Sequence, residues 1–144
     1  MDDNLKNQIC QLKLALMSLS PTGENGFEGL IGLTLNNITG ISFRLAGSGS
    51  QFGIDGKGGD ANDSICFEAK RYDKSPSRES LLSKITDLAI NDHCVDIWVL
   101  GSTAAVKTQI VDDVRKAGNK DGIYVLVIDW AENQLPDLAI ALSM

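Results

Sequence analysis

Apolar residues recur along this chain at two different spacings, and the change from one to the other divides it into helices and strands. Leu5, Ile9, Leu12, Leu16 and Leu19 fall at three- and four-residue intervals, which predicts an amphipathic helix over residues 4–19, closed by Pro21 and Gly23. Phe27, Leu30, Ile31, Leu33, Thr34, Leu35 and Ile38 repeat the helical pattern over residues 26–38, and Gly40 marks its end. The spacing then shifts to two. Ile41, Phe43 and Leu45 alternate with Ser42 and Arg44, which predicts a strand over 41–46 that runs out into the flexible tract Gly47-Ser48-Gly49-Ser50. Residues 51–55 read as a short strand entering the glycine turn Gly56-Lys57-Gly58-Gly59. Residues 64–72 read as the next strand, paired with its predecessor as a hairpin across the short polar loop 60–63.

Downstream, Leu81, Leu82, Ile85, Leu88 and Ala89 share one helical face, so residues 77–90 read as a helix with Ser77 as its cap. An apolar strand over 95–101, a helix over 104–117 ended by Gly118 and a strand over 122–129 follow, an order that predicts a right-handed parallel crossover. Leu135, Leu138, Ala139 and Leu142 return to helical spacing in a last helix over 134–144. No capping residue or polar tail follows it, so the chain is expected to lead on into a downstream region. The elements together predict an α/β fold with a central mixed sheet of four to five strands flanked by helices, forming one domain over residues 1–144.

Composition narrows the setting. With 43% hydrophobic residues in 144, the chain can build one continuous core. No apolar run approaches the roughly 18 residues of a membrane span, and Met1-Asp2-Asp3 lacks the basic start of a secretory signal. The expectation is a soluble, cytoplasmic protein with no membrane partner. Cys10, Cys66 and Cys94 are odd in number, widely spaced and set among apolar residues, which suits reduced thiols, and no CxxC or Cys/His cluster points to zinc. The single histidine, His93, follows Asp92 in a short loop and receives no role. The net charge of −6 would repel a polyanion, so nucleic-acid binding needs a local basic patch or divalent cations. Residues 70–84 supply such a patch, with Lys70, Arg71, Lys74, Arg78 and Lys84 against Asp73 and Glu79.

The strand at 64–72 carries the candidate chemistry. Successive side chains point to opposite faces, so Ile65, Phe67 and Ala69 take one side, and Cys66, Glu68 and Lys70 the other. A carboxylate and an ammonium thus share a face with α-carbons roughly 6.5 to 7 Å apart, within reach of one phosphate or one cation. Asp55 comes from the neighbouring strand at the edge of the glycine turn, and two carboxylates from adjacent strands form a hard-oxygen pocket suited to magnesium or manganese. Each residue also has a plainer explanation: Asp55 as a turn former, Glu68 and Lys70 as a solvent-facing pair, Glu28 as a charge at a helix N-terminus.

Gly53-Ile54-Asp55-Gly56 followed by Ile65-Cys66-Phe67-Glu68-Ala69-Lys70-Arg71-Tyr72 resembles the signature of the PD-(D/E)XK nuclease superfamily, most closely its Mrr-like restriction endonuclease branch. Ile54 stands where proline is common in that family. The resemblance covers about residues 24–130, which it marks as a nuclease core behind an N-terminal helix over residues 1–20, and it implies a restriction-endonuclease-like fold. It further implies that Asp55, Glu68 and Lys70 are catalytic, and that Glu28, Asp55, Glu68 and the Ala69 carbonyl ligate Mg2+, with Mn2+ able to substitute. Lys70 would orient and help deprotonate the attacking water or stabilise charge on the phosphate. Arg71, Lys74 and Arg78 would contact nucleic-acid phosphates. The implied activity is endonucleolytic hydrolysis of double-stranded DNA.

A second likeness joins Val127-Ile128-Asp129-Trp130 and Leu135-Pro136-Asp137-Leu138-Ala139. This segment is similar to the one linking nuclease effectors to the NTPase core of bacterial antiviral STAND proteins. It implies a downstream NTPase and sensor region in the same polypeptide and a homo-oligomeric working state in phage defence. Two rival readings share the sequence: a Holliday-junction resolvase or RNA-directed nuclease of the same fold, and an oligomerisation or protein-binding module without catalysis. A nucleotide-binding loop is set aside, since Gly53 to Gly59 contains neither GxxxxGK[ST] nor a strand-to-helix GxGxxG.

Overall fold

In a computed structural model the chain is described over residues 1–46, 54–59, 64–91 and 95–144. The Gly/Ser tract 47–50, the expected strand residues 51–53, the loop 60–63 and His93 lie outside the described residues. Five helices and five strands follow in the order α1 (Asp3–Ser18), α2 (Phe27–Thr39), β1 (Phe43–Leu45), β2 (Gly56–Gly58), β3 (Ile65–Lys70), α3 (Arg78–Asn91), β4 (Ile97–Ser102), α4 (Thr108–Lys120), β5 (Tyr124–Ile128) and α5 (Asp137–Leu142). The strands form one mixed sheet in the order β1-β2-β3-β4-β5, antiparallel from β1 to β3 and parallel from β3 to β5. The molecule is therefore α/β, with the sheet between two helical layers. No described helix is long and apolar enough to cross a membrane.

The alternation read from β3 decides which layer each helix joins. Cys66 faces Leu81, Ile85 and Leu88 of α3 and Val114 of α4, together with Trp98, Leu100 and Val125 from the parallel strands. Phe67 and Ala69 face the other way, onto Leu16 of α1, Phe27, Ile31 and Leu35 of α2, and Leu138 and Ala139 of α5, with Val99 and Trp130. β3 is thus covered on both faces, as expected of a central strand, yet it carries Glu68 in the middle of the buried run, only 4% exposed.

Three expectations need correction. Gly56–Gly58 is a strand and not a turn: Gly56 pairs with Phe67 and Gly58 with Phe43. The glycines are there because aromatic rings lie over them, and a Cβ would come within 2.2 Å of the Phe67 ring at Gly56 and 2.4 Å of the Phe43 ring at Gly58. Helix α4 begins at Thr108 rather than 104, since Ala104 and Val106 are buried in a non-helical segment whose Val106 N–H donates to the Asp129 carboxylate at 2.8 Å. It also runs through Gly118 to Lys120. The chain turns at Gly122, whose φ of 75° is the left-handed conformation that glycine adopts without strain. Other boundaries agree more closely, with Gly40 closing α2 at φ 73° and Ser77 Oγ accepting the Ser80 N–H at 3.2 Å as the cap of α3.

Gly118 gives a stability prediction with opposing terms. Alanine is the better helix former by about 1 kcal/mol, but a Cβ there would sit 2.7 Å from the Ile123 carbonyl oxygen and 2.8 Å from Val125 Cγ2. Backbone cannot yield as a flexible side chain does, so Gly118→Ala is expected to destabilise by about 1–3 kcal/mol. Thermal melts check this, and a raised melting temperature would show that α4 is not pressed against β5.

Candidate active site

The site is built at the point where β2 begins. Gly56 is the registered partner of Phe67, and the Asp55 N–H also donates to the Phe67 carbonyl at 2.7 Å. Two consecutive residues thus face one, the arrangement of a β-bulge, which re-aims the side chain it carries. Asp55 is held on its other edge too, because its carbonyl accepts the Ala46 N–H at 2.8 Å. The Asp55 carboxylate turns to β3, where Oδ2 accepts the Ala69 N–H at 2.7 Å, in place of a ladder carbonyl. A strand residue's N–H and C=O leave on the same edge, so the Ala69 carbonyl points to the Asp55 side as well.

Other charges reach this notch from both faces of the sheet. Glu28, in the first turn of α2, turns back so that Oε1 accepts the Gly23 N–H at 2.7 Å. Its carboxyl also lies near enough to Asp55 to raise that group's affinity for a proton. Glu68 projects from the opposite face, where Lys70 Nζ lies 2.9 Å and Lys84 Nζ 3.0 Å from the same Oε1. Lys70 is further held by the Tyr72 hydroxyl at 3.2 Å, and its ammonium sits 5.2 Å from the centre of that ring. The end of β3 is pinned by Thr103, whose N–H donates to the Lys70 carbonyl at 3.0 Å and whose hydroxyl donates to the Tyr72 carbonyl at 3.0 Å.

Electrostatics follow from this crowding. Burial pushes the Asp55 carboxyl up, the Glu68 charge adds to it, and Glu28 raises it further against the Ala69 N–H, which lowers it; the outcome is about 7. Burial alone would lower Lys70, but the charge and hydrogen bond of Glu68, followed by the Tyr72 hydroxyl, outweigh it and hold Lys70 above its ordinary value. Lys70 therefore stays protonated at neutral pH. Such a group donates hydrogen bonds and offsets anionic charge; it does not abstract a proton from water. Of the two roles that the resemblance left open for it, this geometry suits charge stabilisation.

The sequence-derived residues are thus partly assembled. Asp55, Glu68, Lys70, Glu28 and Ala69 converge. Among the described residues no group of three or more His, Cys, Asp or Glu side chains is already arranged to hold a metal ion. The residue types nevertheless suit a hard divalent cation, since carboxylates and a backbone carbonyl are the oxygen ligands such an ion takes, and the Glu68 and Glu28 charges that add to burial in raising Asp55 are ones a cation would offset. The basic residues divide differently. Arg71 turns towards α1, donating from Nη1 to the Met17 carbonyl at 3.0 Å, while its buried Nε has no partner among the described residues. Arg78 is paired with Asp113 at 2.7 Å across α3 and α4. Lys74 is exposed, makes no ion pair among the described residues, and lines a cleft of about 490 Å³ directly beyond Lys70 with Tyr72, Asp73 and Ser77.

Lys84 and Tyr72 entered the sequence reading only as part of the basic patch and the strand. A signal for Lys84 exists: Leu81, Lys84 and Leu88 are three and four residues apart, which sets the lysine on the inward stripe of α3. Nothing local announces the bulge at Asp55. Compared with family models and with curated proteins, the chain matches none.

The raised Asp55 gives a pH prediction. Between pH 4 and about 7 the folded chain keeps this proton while the unfolded chain loses it, so the contribution of Asp55 to stability falls as pH rises through that window. Asparagine stays neutral and can still accept the Ala69 N–H. Asp55→Asn should therefore stabilise the chain at pH 8 by about 1–2 kcal/mol after discounting for solvent screening. The gain should fade to nothing near pH 4 in paired melts, and a difference independent of pH would contradict the assignment.

Proposed function

We propose that this chain is a divalent-cation-dependent endonuclease domain that hydrolyses phosphodiester bonds of double-stranded DNA on a restriction-endonuclease-like core. The observation that carries this reading is the meeting of Asp55, Glu68 and Lys70 at one notch in the sheet, with Glu28 reaching Asp55 from α2. The element order supports it, since a helix, a three-stranded meander, a helix and a further strand is the order that the resemblance implies.

Magnesium or manganese, held by Asp55, Glu68, Glu28 and the Ala69 carbonyl, would supply Lewis acidity and neutralise phosphoryl charge. The chain's own groups do the rest. Lys70, charged and fixed between Glu68 and Tyr72, donates to the phosphate oxygen on which negative charge grows. Thr103 keeps the exit of β3 in place, so the ammonium cannot drift with its strand. Lys74, beside the cleft, contacts a neighbouring phosphate, while Arg78 joins α3 to α4 through Asp113. The likeness of the C-terminal segment to STAND proteins supports, as part of the same proposal, a role for this activity within a larger antiviral protein that oligomerises.

Incubating the chain with supercoiled plasmid, linear duplex, a four-way junction and RNA under Mg2+ or Mn2+ tests the reading. Cleavage of plasmid and linear duplex is expected, lowered on the order of 10²- to 10³-fold in Asp55→Ala and Lys70→Ala. Cleavage confined to RNA or to the junction would overturn the substrate. Absence of cleavage together with absence of cation binding by calorimetry would favour a protein-binding module. Lys74→Ala should cost only a few-fold at low salt and reduce the salt slope of DNA binding by about one, whereas Arg78→Ala should act on stability.

A further inference from the structure

Two ammonium groups on one buried carboxylate oxygen are more than the charge of that carboxylate requires. Glu68 is 5% exposed at its side chain, and Lys70 and Lys84 approach its Oε1 at 2.9 and 3.0 Å. The two lysines are not equivalent. Lys70 is the more buried, at 11%, and has a second anchor in Tyr72. Lys84 is 26% exposed, and Glu68 is its one ion-pair partner among the described residues. Its helix is fixed, because Leu81 and Leu88 on either side of it are 1% and 0% exposed and α3 cannot roll without exposing them. The freedom that remains is in the lysine side chain, which carries four rotatable carbons and a strongly hydrated head.

Resting on the nuclease reading above, we propose that Lys84 is a built-in counter-ion that competes with the divalent cation for Glu68 Oε1. When displaced, it turns outwards to bind a DNA phosphate beside the scissile bond. A carboxylate has two oxygens and about four lone-pair positions, so two ammoniums on Oε1 occupy the directions from which a cation would coordinate that atom. A dication arriving beside two ammoniums raises local positive charge, and repulsion expels the ammonium that is held least. Lys70, fixed by Tyr72, stays; Lys84 leaves towards solvent, the side from which substrate comes. Glu68 is then never buried without a partner, a condition that would be costly, and the site accepts DNA phosphate most readily once the cation is in place. Lys84 is in this account a positioning residue for the cation and a binding residue for DNA.

The test titrates Mn2+ alone, without DNA, into the wild-type chain and into Lys84→Met and Lys84→Gln, by calorimetry. Methionine keeps the unbranched apolar stem without the ammonium, and glutamine keeps a donor for Glu68 without charge, so one covers the other if folding suffers. Both are expected to bind Mn2+ more tightly than wild type, on the order of tenfold, because one unit charge is removed from beside the ligand. Lys84→Arg should remain near wild type. In parallel, binding of a short duplex in Ca2+ should lose about one unit of salt slope in Lys84→Met. Unchanged or weaker Mn2+ binding in both neutral variants, with wild type binding normally, would overturn this inference and leave the nuclease reading standing. Absence of Mn2+ binding in wild type and variants alike would overturn both.

Discussion

The hydrogen bond from the Ala69 N–H to Asp55 Oδ2, 2.7 Å long, is the joint on which the candidate site hangs. Where β2 begins, the sheet would ordinarily supply a backbone carbonyl to that N–H. A side-chain carboxylate takes its place because the bulge at Asp55 and Gly56 turns the chain against Phe67. A charged group thereby enters the plane of a buried sheet, where it can be approached from either helical layer. It is held by backbone on both sides, so its position does not depend on the rotamer of a long side chain.

From this joint the division of labour between the layers follows. The α2 layer brings Glu28, and the α3 layer brings Lys84 to the Glu68 that β3 already directs to that side. Neither helix is placed by its polar residue. Phe27, Ile31 and Leu35 seat α2, and Leu81, Ile85 and Leu88 seat α3. The charged side chains are carried along at fixed offsets from these apolar anchors, so the energetic cost of gathering like charges is borne by hydrophobic burial elsewhere. The proposed chemistry draws on that gathering: a carboxyl raised to about 7, first by burial and then by the Glu68 charge, marks a place where negative charge is held out of water and close to its like.

How much of this could be read along the chain differs from residue to residue. The helical stripes, the two-sided alternation of β3, the Ser77 cap and the Gly40 stop are local patterns, set by side-chain period and by backbone preferences within a few residues. They are legible along the chain, and they put Glu68 and Lys70 on one face. Gly118 misled because a glycine inside a helix looks like its end, whereas it is demanded by the close approach of Ile123 and Val125. Gly56 and Gly58 misled in the same way, since the rings that require them belong to Phe67 and Phe43 on other strands.

The sequence by itself thus determined the elements, the sheet face of Glu68 and Lys70, and the acidic and basic residues available to a site, because all of these depend on neighbours in the chain. Only the tertiary structure decided the bulge that aims Asp55, the reach of Glu28 to it, the second lysine on Glu68, and the commitment of Arg71 to Met17 and Arg78 to Asp113. Those contacts join residues from separate elements, up to 54 positions apart for Arg71 and Met17. The physical reason is that a charge finds its partner through space, and space is arranged by apolar packing that no local pattern of charges encodes.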